Sequence, residues 1–408
     1  MLLTSEDAFA AVDFRFHWQS PEAVHTECFH TDRINFWRDL FPAKLQCALL
    51  GKTAGERFSV AFPAGTLTAP RTSGQVQSLK RLQVNDRMLA DLNITLRRGR
   101  FYPKGILRDL PGIFSGNNEP FRCADLSDSH LKADFNHCLS AADLVVEVIV
   151  REVRAKHGEL GGTSYDWVEA ALKGPGMQVR WQGQPTDFFS GHPFAREDQS
   201  DDLVFYEKPR LVDHLDRQAI TVITGLYQKL LAPGDRVLDM MASWKSHLPA
   251  QLKLGKVTGL GLNSAELDAN PRLDERVVHD LNQDPRLPFA DGSFDAVVCT
   301  VSVEYLVQPF AVFREVARVL KAGGRFITTF SNRWFPPKAI HVWQETHEFE
   351  RMGIVLAYFH ASEAFDHLET FSMRGLPRPA DDKYALQLLY SDPVYAVWGQ
   401  RRQESGEK

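Results

Sequence analysis

The chain has 408 residues, of which 44% are hydrophobic and 24% charged, with a formal net charge of -5. That length holds two or three domains with cores of their own, and the acidic balance argues against a surface built to hold nucleic acid. The short basic cluster Arg97, Arg98, Arg100 and Lys104 reads as a solvated loop.

Cys28, Cys47, Cys123, Cys138 and Cys299 contain no C-x-x-C pair and leave an odd number. A disulfide framework and a structural zinc site are therefore not expected, and a reducing compartment fits. The opening MLLTSEDAFAAVDF has no basic stretch followed by a long apolar one, and no run of about 18 apolar residues occurs. The expectation is a cytoplasmic protein with no membrane partner and no metal.

Up to about residue 156 the chain is strand-like. Residues 44–50 form the best short helix, with Gly51 as its stop. GERFSVAF, PFRCADL, SHLKADF and LVVEVIVREV alternate or run apolar between turn residues. Composition breaks over 157–202, where KHGELGG, GPGMQVRWQGQP and EDQSDD read as a linker around a short helix at 165–172. From residue 203 helix and strand alternate. Residues 338–361 read as a helix, and FDHLETFSMR and PVYAVWGQRR as closing strands. The fold class expected is α/β, a doubly wound parallel sheet over 203–408 preceded by a mainly antiparallel β (α+β) unit over 1–156.

RVLDMMASWKSHLP, KVTGLGLN, VVHDLNQDPRLPFADGSFDAVVC and EVARVLKAGGRFITTF carry the order and spacing of one known family. Over about residues 203–401 the chain resembles class I S-adenosylmethionine-dependent methyltransferases. The resemblance implies a Rossmann-like sheet with the cofactor beyond the carboxyl ends of its strands. It places Asp239 against the cofactor's ammonium group. Where the family has G-x-G-x-G, this chain has Met241, Ser243 and Lys245. Lys245 facing inward would repel a sulfonium.

At the end of the second strand Gly261 stands where the family has its ribose-binding acid. Asn263 offers one hydrogen bond in its place, and Glu266 is expected to face solvent. Asp280, with Leu281 beside it, falls where the family meets the adenine amino group; a helix N-cap is the alternative use of that aspartate. Ser302, Glu304 and Tyr305 fall at substrate-facing positions, with Ser302 also a cofactor contact. Tyr206, Arg210 and His214 lie on a segment that lids such pockets. Asn332, Arg333 and Trp334 follow the fifth strand. His247 and His214, with Tyr305, are the candidate catalytic groups.

In the first half, FPAKLQCALLGKTAGERFSVAF and the series Asp134, Asn136, His137, Leu139 and Leu144 resemble the SlyD-like branch of the FKBP family, over about residues 10–156. That implies a sheet around a helix, an inserted flap over about 70–120, and an apolar pocket for a proline-containing segment. Leu45 falls at the pocket floor, Thr68 replaces the family tyrosine, and Glu27 is the nearest match to its acid. Phe14, Phe16, Phe41 and Phe58 are candidate walls or core, and His137 a turn residue.

Three readings stay open. The first is a methyltransferase that receives a polypeptide substrate through the FKBP-like unit. The second is a non-catalytic scaffold with a chaperone-like module. The third is an active prolyl isomerase.

Overall fold

The computed structural model describes residues 2–158 and 162–403. Residue 1, residues 159–161 of the expected linker and residues 404–408 of the RRQESGEK tail lie outside the described residues. The chain opens with β1 (Ala8–Gln19), β2 (Val24–Asn35), α1 (Ala43–Leu49) and β3 (Arg57–Phe62). Next come β4 (Val76–Lys80), α2 (Asp86–Asp91), β5 (Phe101–Pro103), β6 (Pro120–Leu126), β7 (His130–Asp134) and β8 (Leu144–Ala155). After α3 (Trp167–Leu172) and α4 (Asp202–Phe205) follow α5 (Arg217–Leu230), β9 (Val237–Met240), β10 (Val257–Gly261) and α6 (Ser264–Ala269). The last elements are β11 (Glu275–Val278), β12 (Phe294–Thr300), α7 (Pro309–Val319), β13 (Leu320–Phe330), α8 (His341–Gln344), α9 (Glu348–Ser362), β14 (Phe365–Arg374) and β15 (Val394–Arg401).

One sheet runs in the order β11-β10-β9-β12-β13-β15-β14-β2-β1-β8-β3. Its β11 to β13 portion is parallel, as helix crossovers dictate. Phe294, Ala296, Val297, Val298 and Cys299 of β12 are all buried. Such a near-continuous apolar run is what a strand covered on both faces requires. Pro309 opens α7, where its missing N–H costs nothing, and Val312, Phe313 and Val316 lie on its buried face. Strand order reverses between β9 and β12, and the carboxyl ends of those strands are where such sheets hold ligands.

The two halves share this sheet. β14 pairs in parallel with β2, from Glu369 opposite Val24 to Arg374 opposite Phe29. Buried polar groups lock that seam. His25 Nδ1 meets Thr370 Oγ1 at 2.7 Å, and its Nε2 meets Ser20 Oγ at 2.9 Å. Glu27 Oε2 accepts a hydrogen bond from the Ser372 hydroxyl, and its Oε1 accepts one from Gln178 Nε2 at 2.7 Å. Burial raises the Glu27 carboxyl above its ordinary range.

A second sheet, β4-β7-β6-β5, stands between β3 and β8 in the chain and closes a core of its own around Leu79, Phe121 and Leu131. It covers residues 76–134, a longer span than the expected 70–120 insertion. The basic cluster is not a solvated loop throughout. Arg100 is only 1% exposed, and it donates to the Glu345 backbone carbonyl at 2.7 Å and to Glu345 Oε2 at 3.3 Å. Phe101 N donates to Glu350 Oε1 at 3.0 Å, so this sheet is tied to α9.

Other departures have local causes. The helix expected at 338–361 is two helices, because His347 starts α9 with a capping box: Phe349 N donates to its Nδ1 and its own N donates to Glu350 Oε2. Gly323 and Gly324 sit inside β13, at a shift in its register with β12. The segment after β8 packs tightly where a loose linker was expected. A Cβ at Gly353 would come within 2.9 Å of the Gln178 carbonyl, so the two backbones need that glycine. In the turn before β8, Asp134 accepts from Asn136 N at 3.0 Å and His137 Nδ1 from Leu139 N at 3.1 Å, a structural use.

Candidate functional site

A cavity of about 160 Å³ opens at the carboxyl ends of β9, β10 and β12. Asp239, Ser243, Asn263, Asp280, Leu281 and Ser302 all line it. So do His214, His247 and Tyr305. Asp239 sits on a strand, and the others come from the loops that follow the strands or from the segment before β9.

Asp239 is 3% exposed near the end of β9, and among the described residues its Oδ2 has no hydrogen-bond partner. Burial pushes its carboxyl up from an ordinary 3.8 to about 7, against a lowering hydrogen bond from Ser246. The chain then turns sharply: Met241 has φ of 59°, a left-handed conformation that non-glycine residues adopt at a cost. Ala242 N donates to the Leu260 carbonyl at 2.8 Å. This closes the loop over β10, and a Cβ at Gly261 would stand 2.2 Å from the Ala242 carbonyl. The position that holds an acid in the resembled family is therefore sterically closed here.

Glu266 departs from the solvent-facing expectation. It is 9% exposed in the first turn of α6, accepting from Ser243 Oγ at 2.6 Å and from Arg210 N at 2.7 Å. Asn263 caps α6 through Glu266 N, and its Nδ2 donates to the carbonyls of Tyr206 and Glu207, each at 2.9 Å. Both residues thus anchor the segment that crosses the cavity mouth. Lys245 does not face a ligand. Its ammonium pairs with both Asp213 oxygens at 2.8 Å and lies 4.1 Å from the Trp244 ring.

No helix follows Asp280, so it caps a turn and not a helix. Oδ1 accepts from Asn282 N at 2.8 Å, a cap, while Oδ2 is buried without a partner among the described residues. Ser302 donates to the Thr300 carbonyl at 3.0 Å. The Tyr305 hydroxyl accepts from Phe335 N at 2.9 Å, and burial raises its pKa well above the ordinary value. Burial lowers His247 to about 4, so its imidazole is neutral at pH 7.

Arg210, a candidate from the lidding segment, lines the cavity with its cation among aromatic rings. Its guanidinium lies 4.5, 5.2 and 4.8 Å from the rings of Phe205, Tyr206 and Phe335, and its Nη1 is buried with no partner among the described residues. Asp202, from the same segment, accepts from Arg196 and from Asn282, whose Nδ2 also donates to the Tyr305 carbonyl. Nothing in the local pattern of EDQSDDLVFYEKPR announces these long-range partners.

Four candidates lie outside the cavity lining. Glu304 is fully buried behind it with neither carboxylate oxygen partnered among the described residues, and burial raises it to about 8. Arg333 stacks on Tyr384 at 4.8 Å, and Trp334 lies 4.2 Å from the Arg351 guanidinium. Asn332 is reached by the Ser331 hydroxyl at 3.4 Å. From that stretch it is Phe335 that lines the cavity.

Comparison with known proteins falls on this half. A methyltransferase domain family matches residues 243–328, starting inside the altered loop and after Asp239. Methyltransferase GfsG of Streptomyces halstedii is 27% identical over 173 residues, 35% of this chain and 59% of that protein. The ubiquinone/menaquinone biosynthesis C-methyltransferase UbiE of Chromobacterium violaceum is 30% identical over 136 residues, 30% of this chain and 54% of its own length. The chain thus spans little more than half the length of these relatives. Among solved structures, an S-adenosylmethionine-dependent methyltransferase of Mesorhizobium loti is 16% identical with a TM-score of 0.31, covering 43% of this chain and 96% of that one. Residues 243–328 of the C-terminal half match a methyltransferase domain, of which S-adenosyl-L-methionine is the expected cofactor.

Proposed function

We propose that the chain binds S-adenosylmethionine in the cavity between β9, β10 and β12 and transfers its methyl group to an acceptor. One observation carries the reading: Asp239 Oδ2, Asp280 Oδ2 and Arg210 Nη1 are buried in one cavity without partners among the described residues. Buried polar atoms left open cost about 1–3 kcal/mol each, and a ligand that supplies partners recovers that cost. An ammonium for Asp239, an amino group for Asp280 and a carboxylate for Arg210 are the groups that S-adenosylmethionine carries.

When bound, the cofactor supplies an electrophilic methyl group on a sulfonium. The residues position and shield it. Lys245, paired with Asp213, adds little field. Neutral His247 can accept a proton from the acceptor. Tyr206, Arg210 and Phe335 exclude water, and Asn263 is free to meet a ribose hydroxyl only once the crossing segment releases it.

Calorimetric titration of S-adenosylmethionine and S-adenosylhomocysteine into the whole chain tests this. Asp280→Ala should weaken both by about 1–3 kcal/mol, the cost of an unmatched buried partner. No heat at millimolar ligand would leave the scaffold reading standing.

A second reading concerns the first half. Leu45 and Leu49 pack α1 against the antiparallel β2-β1-β8-β3 sheet, and a second sheet is inserted between β3 and β8. This order is the observation that favours an FKBP-like module presenting a polypeptide. Phe14 and Phe16 are buried core, so Phe41 and Phe58, partly buried, are the walls left for a groove. Catalysis of prolyl isomerisation in a peptide by the whole chain is its test.

A further inference from the structure

A second cavity, of about 360 Å³, lies where four parts of the chain meet. Glu22 comes from the β1–β2 turn, Gln178 to Phe189 from the segment after α3, and Leu356 to Ala361 from α9, with Phe310 from α7. It shares no lining residue with the cavity of β9, β10 and β12.

Part of the lining is apolar: Phe189 and Phe310 meet edge to face at 5.1 Å, and Leu356 and Ala357 add to it. Glu22, Arg180 and His360 also line the cavity. Glu22 Oε2 and His360 Nε2 are both shut off from solvent, and among the described residues neither has a hydrogen-bond partner. Arg180 and Glu22 both act on His360 electrostatically, and burial lowers the pKa of its imidazole. A positive and a negative group thus line one pocket together with two aromatic rings.

From this arrangement we propose that the cavity binds an amino acid with an aromatic or branched apolar side chain. Its carboxylate meets Arg180, its ammonium meets Glu22 Oε2, His360 Nε2 accepts a hydrogen bond from a further ammonium N–H, and its side chain lies against Phe189, Phe310 and Leu356. Simple acids and simple amines satisfy one charge and leave the other open, so the site discriminates against them. A volume of this size suits a small ligand with an apolar body and a few converging polar groups.

The test is calorimetry on the whole chain with three probes: L-phenylalanine, 3-phenylpropionate and 2-phenylethylamine. L-Phenylalanine should bind at least tenfold more tightly than either analogue. Glu22→Gln and Arg180→Ala should each weaken it at least tenfold, and Ala361→Trp, which fills the mouth, should abolish it. Asp280→Ala, in the other cavity, should leave the isotherm in place, so the result does not depend on cofactor binding. Unchanged melting temperatures identify the folded variants to be counted. Equal binding of the three probes, no heat at millimolar phenylalanine, or an isotherm indifferent to the three cavity variants overturns the proposal.

Discussion

The seam between β14 and β2 and the cavity beside β9 bury similar groups and treat them oppositely. At the seam His25, Glu27, Thr370 and Ser372 all find partners in each other, in Ser20 or in Gln178. In the cavity Asp239, Asp280 and Arg210 each keep an atom without a partner among the described residues. Burial alone therefore does not mark function in this chain. The distinction lies in whether a buried polar atom is satisfied from within the protein.

The largest effect should come from breaking the seam. Glu27→Ala strands the Ser372 hydroxyl and the Gln178 amide in a dry interface and should lower stability by about 1–3 kcal/mol in urea unfolding. A loss under about 0.5 kcal/mol would mean the seam is wetter than its geometry implies.

Asp239→Asn is the converse. It removes a buried acid whose ionisation the fold disfavours, so stability at neutral pH should hold or rise while cofactor affinity falls. The folded-state carboxyl lies near 7 against an ordinary 3.8. Between those values the folded state binds more protons than the unfolded one, so this group's contribution to stability falls as pH rises from about 4 to 7. An ammonium ligand needs the ionised form, so its affinity should fall as pH drops below about 7. Asp239→Asn should flatten both profiles; a wild-type affinity independent of pH from 5 to 8 would remove Asp239 from the cofactor's path.

Lys245→Ala should do least. The Lys245–Asp213 pair is exposed, and such pairs contribute about 0–1 kcal/mol, so cofactor affinity should shift by less than about fivefold. A larger gain would show that Lys245 repels the sulfonium after all.

How much of this was legible in the residues follows from the range of the forces involved. The β12, α7 and β13 run was readable because apolar continuity and a first-turn proline act locally. The positions that misled were those set by distant neighbours. Glu266 was assigned to solvent because a first-turn helix glutamate usually faces it, yet Ser243 and Arg210 bury it. Arg100 sat in a basic cluster, but its partner Glu345 is 245 residues away. The union of the halves was invisible for the same reason, since no short-range pattern tells β2 that its neighbour is β14.

That union bears on how the chain can be made and handled. His25 and Thr370 touch across 345 residues of sequence, so during synthesis the β2 edge stays bare until nearly the whole polypeptide has emerged. An unpaired edge of that length invites pairing with other chains, and such distant closure is slow. Cutting near residue 203 would expose β2 on one fragment and β14 on the other. Co-expressed fragments should therefore find each other, whereas either one alone should aggregate.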